Sequence, residues 1–191
     1  MKTAFVDVDS QLDFLYPAGA LYVAGAERIA PAIARLNRFA AARLIPVIST
    51  TDAHSENDIE FRQWPPHCIR GTWGQRKAES TLLENRIVIP NRECKIEHAP
   101  QIIVEKQTVD VFQAPNLARV IESLAAETFV VYGVVTEVCV MYAACGLLQR
   151  GKSVTVVTDA VKELGPTKTL KDLCLAGAKL STAGEILGLD C

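Results

Sequence analysis

Cys139 stands in the stretch YGVVTEVCVMYAACGLLQRG, Tyr132 to Gly151, which begins as a buried strand and ends as a helix. On the first turn of that helix a thiol would sit beside unpaired backbone N–H groups and the positive end of the helix dipole. There its pKa falls and it can act as a nucleophile, and the same N–H groups can stabilise a developing oxyanion. Two other strand ends carry groups that could serve it. Asp9 closes the apolar run TAFVDVD (3–9) and shares a strand face with Asp7, whereas Asp13 reads as a solvated turn acid. Lys106 closes QIIVEK (101–106), and a lysine beside a thiol and a carboxylate stabilises both anions.

A second constellation follows the run LIPVIST (44–50), in TTDAHSEND. Side chains two apart in an extended segment point the same way, so Asp52 and His54 make a ligand pair. His67 follows in WPPHC; the remaining histidine of the three is His98. One carboxylate and two imidazoles leave open positions for water or substrate, the pattern of a catalytic metal site.

These groups need a scaffold that brings distant strand ends together. Further apolar runs lie at 128–134, 153–159 and 178–182, and most of the runs are continuous, as in strands covered on both faces. Helical patterns fill 26–43, 115–126, 136–151 and 166–177, several of them stopping at glycine. Alternation of this kind predicts an α/β/α sandwich around a mostly parallel sheet, with sites at the carboxyl ends of the strands. Residues 51–100 read as an irregular excursion.

The 191 residues suffice for one domain, taken as 1–191, with a sizeable core. A net charge of −2, with no long basic run, argues against a nucleic-acid or anionic-membrane partner. No apolar stretch approaches the ~20 residues that span a bilayer, and acids in the first apolar run argue against a signal peptide. The six cysteines show no C-x-x-C pair, so reduced thiols in a cytoplasm are the simplest expectation.

Taken in order, DVDSQLDF, TDAHSEN, WPPHCIRGT, the EK at Lys106 and GVVTEVCV resemble the isochorismatase-like cysteine hydrolases, most closely the nicotinamidases and pyrazinamidases. The resemblance implies a three-layer α/β/α fold and a catalytic triad of Asp9, Lys106 and Cys139. It implies a divalent metal, commonly zinc with iron or manganese as alternatives, on Asp52, His54 and His67. It also implies a cis bond at Val134–Val135, an oxyanion hole from the N–H groups of Val135 and Cys139, and a pyridine ring held between Phe14 and Trp64. The expected partner is a small amide, and a homo-oligomer is compatible with the family.

The chain departs from that pattern in three places. HSEND stands where nicotinamidases often read HPENH, which puts Asp58 in place of a histidine near the metal. QTVDVFQAPNL replaces an aromatic and glycine-rich segment after Lys106, and the stretch from Trp73 to Pro100 is longer than expected. Hydrolysis of another amide, ureido or carbamoyl compound is therefore the alternative reading. A silent binding protein is disfavoured by the intact triad, and isochorismate cleavage by the presence of Cys139.

Overall fold

The computed structural model describes residues 2–189; Cys191, the last of the six cysteines, lies outside them. Seven parallel strands form one sheet in the order β3-β4-β2-β1-β5-β6-β7. They are β1 (Thr3–Val8), β2 (Val47–Asp52), β3 (Arg86–Ile89), β4 (Gln101–Lys106), β5 (Thr128–Val134), β6 (Ser153–Lys162) and β7 (Lys179–Ser181). The central strands β1, β2 and β5 are buried almost throughout, which explains their unbroken apolar runs.

Helices α1 (Leu12–Leu15), α2 (Ala30–Ala42), α3 (Leu117–Leu124), α4 (Met141–Gln149), α5 (Thr169–Leu175) and α6 (Ala183–Leu187) complete the described elements, with short 3-10 turns between them. One layer contains α2 and α6; the other contains α4, which packs against α5. Pro31 lies in the first turn of α2, where its missing N–H costs nothing, and a reciprocal Thr182–Glu185 capping box starts α6. From β1 the chain steps one way to β2 and the other way to β5, so the crevice between β1 and β5 is the topological switch point at which ligands bind in such sheets. Among the described residues no helix is long and apolar enough to cross a membrane, and no cysteine is in a disulfide.

Several sequence expectations need correction. The irregular excursion holds a strand, β3, which pairs only with β4; as an edge strand it is half exposed and too short to stand out as a run. The helix expected over 26–43 is a 3-10 turn (Ala26–Arg28) followed by α2, and that over 166–177 shrinks to α5. Residues Thr136–Val140 form a single π turn before α4, so Cys139 sits one turn ahead of the α-helix. Asp13 is buried rather than solvated, and its carboxylate accepts from the N–H groups of Ala20 (2.8 Å) and Cys68 (2.7 Å).

Asp7 and Asp9 do not share a face. Asp7 faces the α2 layer, where Asn37 Nδ2 (3.2 Å), Ser49 Oγ (3.1 Å) and Lys77 Nζ (3.4 Å) surround it. Asp9, just past the end of β1, takes φ 47° and turns its carboxylate to Thr50 instead. A left-handed residue breaks the period of two, and sequence spacing cannot reveal it.

Gly133 makes the approach of β1 and β5 feasible. Its φ of +122° is one that L side chains rarely adopt, and a Cβ there would lie 2.0 Å from the Val8 carbonyl oxygen. Gly133→Ala should therefore push the ends of β1 and β5 apart and cost about 1–3 kcal/mol or more. A fall in the urea midpoint, against a nearly unchanged midpoint for Gly165→Ala at an open position without a positive φ, checks this.

Candidate active site

Four strand ends meet at the switch point. Thr50, on β2, fixes Asp9: its hydroxyl donates to Asp9 Oδ1 (2.6 Å) and accepts from the Asp9 N–H (3.2 Å). The Gln11 amide acts as one more strand residue, accepting from the Asp52 N–H (2.7 Å) and donating to the Asp52 carbonyl (2.9 Å). Asp52 is thereby locked at the end of β2. Lys106 ends β4 with Nζ 2.9 Å from Asp9 Oδ2, 2.5 Å from Asp52 Oδ1 and 3.7 Å from Cys139 Sγ. The thiol reaches this point because β5 ends in a cis Val134–Val135 bond and the π turn follows at once. Lys106 thus bridges Asp9 and Cys139, and the three residues that the sequence could only place on separate strands are brought together.

Asp52, His54 and His67 also converge. Their ligand atoms lie within 4.8 Å of one another, and all three residues are buried. His54 Nε2 is 3.8 Å from Asp52 Oδ1, and His67 Nε2 is 3.8 Å from Asp52 Oδ2. Donors bound at 2.0–2.1 Å in a tetrahedron stand roughly 3.4 Å apart, so a small contraction would suit a divalent cation. Two features of the site favour one. His54 Nε2 is buried without a hydrogen-bond partner. The buried carboxylates of Asp9 and Asp52 also outnumber the one ammonium of Lys106, and a cation would offset the excess. His67 Nδ1 lies 2.7 Å from the Pro65 carbonyl, which leaves Nε2 facing Asp52.

Two carboxylates stand beside His54: Asp58, which the sequence reading put near the metal, and Glu60, which it missed. Glu60 reaches within 3.8 Å of His54 Nε2, and Asp58 Oδ2 lies 3.0 Å from His54 Nδ1. Both belong to a 3-10 turn (Ile59–Arg62) and its cap, where neither strand nor α-helix periodicity applies.

Phe14 and Trp64 line the same narrow cavity as Cys139, together with Val138 and Leu164. Its free volume is about 20 Å³, room for little more than one water. His98, by contrast, borders a groove of about 670 Å³ near the amino ends of the strands, beside Lys2, Ile45 and Ser123 and away from every reactive group.

The electrostatics differ from the sequence expectation at one point. Burial pushes the Cys139 thiol well above its usual range; Lys106 opposes the rise, while Asp9 and Asp52 add to it. Lys106 stays cationic because Asp52 and Asp9 outweigh its burial. Burial would raise the Asp52 carboxyl, but Lys106 and His67 together hold it at about 2.

A carboxyl held below its unfolded value near 3.8 adds stability above that pH and loses it as pH falls through about 2. Wild-type protein should thus lose stability between about pH 4 and pH 2. Asp52→Asn should be weaker at neutral pH yet show a shallower decline across that window, as read from urea midpoints at both ends.

With this geometry established, comparison with known proteins is informative. The pattern of the isochorismatase domain matches residues 3–183, nearly the whole chain. The chain belongs to the isochorismatase family. A nicotinamidase of Acinetobacter baylyi is 24% identical over 192 residues, covering 88% of this chain and 85% of that protein. The zinc complex of a pyrazinamidase from Pyrococcus horikoshii superposes with a TM-score of 0.82 at 27% identity, over 95% of this chain and 99% of the other. The N-carbamoylsarcosine amidase of Thermoplasma acidophilum shares the fold, with a TM-score of 0.80 at 23% identity over 96% and 97% of the two chains. These relatives agree with the all-parallel sheet described above and with a hydrolase of the nicotinamidase-like kind.

Proposed function

We propose that the protein hydrolyses a small uncharged aromatic carboxamide, nicotinamide foremost, to the carboxylic acid and ammonia through a thioester on Cys139. The observation that carries this reading is Lys106 bridging Asp9 and Cys139, with Cys139 lining a cavity walled by Phe14 and Trp64. Asp9 takes the thiol proton as sulfur attacks the amide carbon, and the oxyanion rests on the N–H groups of Val135 and Cys139. Asp9 returns the proton to nitrogen, the C–N bond breaks and ammonia leaves. Water then adds to the thioester carbon, giving its proton to Asp9, and the acid departs as Cys139 regains its hydrogen. Lys106 remains cationic throughout and steadies both anions.

Asp52, His54 and His67 would hold a divalent metal, zinc being the one named with a relative, and it would supply a Lewis-acid contact for the ring nitrogen. Phe14 and Trp64 would fix the ring plane by stacking. The lining chemistry favours this substrate class over ureido acids. No Lys or Arg lines the cavity among the described residues, and Asp52 and Glu60 do, so a substrate carboxylate would find no side-chain cation there.

Ammonia release should therefore be much faster from nicotinamide than from benzamide, and faster from either than from an N-carbamoyl amino acid. Stripping the metal with a chelator should shrink the first preference. Robust cleavage of the carbamoyl compound with none of nicotinamide would reject the aromatic-amide reading. Cys139→Ala should lower turnover at least ~10³-fold while leaving the urea midpoint near wild type, because the covalent nucleophile is lost and only a single sulfur is removed.

A further inference from the structure

The turn that follows His54 holds a carboxylate with no part in the chemistry just described. Asp58 Oδ2 lies 3.0 Å from His54 Nδ1, on the side of the imidazole opposite the nitrogen that faces Asp52. The distance is that of a hydrogen bond, although the contact is oblique to the ring N–H. Asp58 is itself restrained. Its Oδ1 accepts from the Glu60 N–H at 3.0 Å, capping the 3-10 turn, and its Oδ2 accepts from Gln107 Nε2 at 3.3 Å. Gln107 Oε1 in turn accepts from Asn91 Nδ2 at 2.7 Å. Gln107 directly follows Lys106, and Asn91 lies just beyond β3, so the two outer strand ends brace the carboxylate from behind.

We propose that Asp58 is a positioning residue for the metal centre: it fixes the proton of His54 on Nδ1, keeps Nε2 free as a donor and makes that donor more basic. This inference rests on the metal reading of Asp52, His54 and His67 given above. Histidine ligands generally hold their second nitrogen against a carboxylate or carbonyl, and losing that partner costs 10–100-fold in metal affinity. His67 uses the Pro65 carbonyl for this purpose, so the two imidazoles would be set by two different acceptors. Asp58 stands at the position where the sequence departs from the HPENH pattern. On this geometry it supports the site from outside and does not bind the ion, since the whole imidazole of His54 lies between Asp58 and the nitrogen that faces Asp52.

The plain alternative is that Asp58 only caps the 3-10 turn. Asn is as good a cap as Asp, so Asp58→Asn separates the two roles. Affinity for Zn²⁺ should be measured by chelator competition on wild type, Asp58→Asn and Gln107→Ala, with the visible spectrum of the Co²⁺-loaded proteins and the urea midpoint of the metal-free proteins alongside. The expectation is a 10–100-fold weaker Zn²⁺ affinity and a shifted Co²⁺ spectrum in Asp58→Asn, a smaller loss in Gln107→Ala, and little change in metal-free stability. Zn²⁺ affinity of Asp58→Asn within about threefold of wild type, or a drop in metal-free stability large enough to account for the loss, overturns the proposal. Wild-type protein that binds no Zn²⁺ would reject the metal reading itself, whereas normal binding by both proteins rejects only the role of Asp58.

Discussion

The ammonium of Lys106, buried between two carboxylates, is the interaction on which the site depends. A lone charge at that depth would be strongly disfavoured; pairing with Asp9 at 2.9 Å and Asp52 at 2.5 Å makes it tolerable. Each carboxylate is in turn set by a neighbour, Asp9 by the Thr50 hydroxyl and Asp52 by the Gln11 amide. Removing the lysine would leave two buried anions facing each other beside a thiol. The same cation therefore supports the fold and sets the electrostatics of the Cys139 thiol.

Lys106 also joins what would otherwise be two sites. Asp9 belongs to the thiol side and Asp52 to the histidine side, and one side chain contacts both. A cation at Asp52 would draw on the carboxylate that neutralises Lys106, leaving the ammonium more strongly positive toward Cys139. Substitutions at Asp52 thus perturb the thiol as well as the histidine cluster, while His67, which has no contact with Lys106 comparable to Asp52's, offers a cleaner probe of the cluster alone.

The sequence disclosed much of this because parallel strands advertise themselves as continuous apolar runs, and their carboxyl ends are where chemistry gathers. Asp9, Lys106 and Cys139 stood at such ends, and Asp52 and His54 kept the period of two. What escaped prediction lay where periodicity fails. Asp9 turns its face at φ 47°, so its spacing from Asp7 misled. Cys139 occupies a π turn rather than an α-helical first turn, and the expected fall in its pKa is reversed by burial among anions. Glu60 sits on a 3-10 turn within an irregular segment, and Asp13 is buried by a loop that closes over it, held through the Cys68 N–H.

The hydrogen bond from Cys68 to Asp13 spans 55 residues, that between Lys106 and Asp52 spans 54, and that between Thr50 and Asp9 spans 41. These three pairs, which tie separate segments into the site, are therefore remote along the chain. Contacts of this kind must close long loops before they return any stabilisation, which slows folding relative to helical proteins of similar size. The site can assemble only once β1, β2, β4 and β5 have docked, so a fragment ending before β5 would contain both histidines and both carboxylates and still lack the sheet that aligns them.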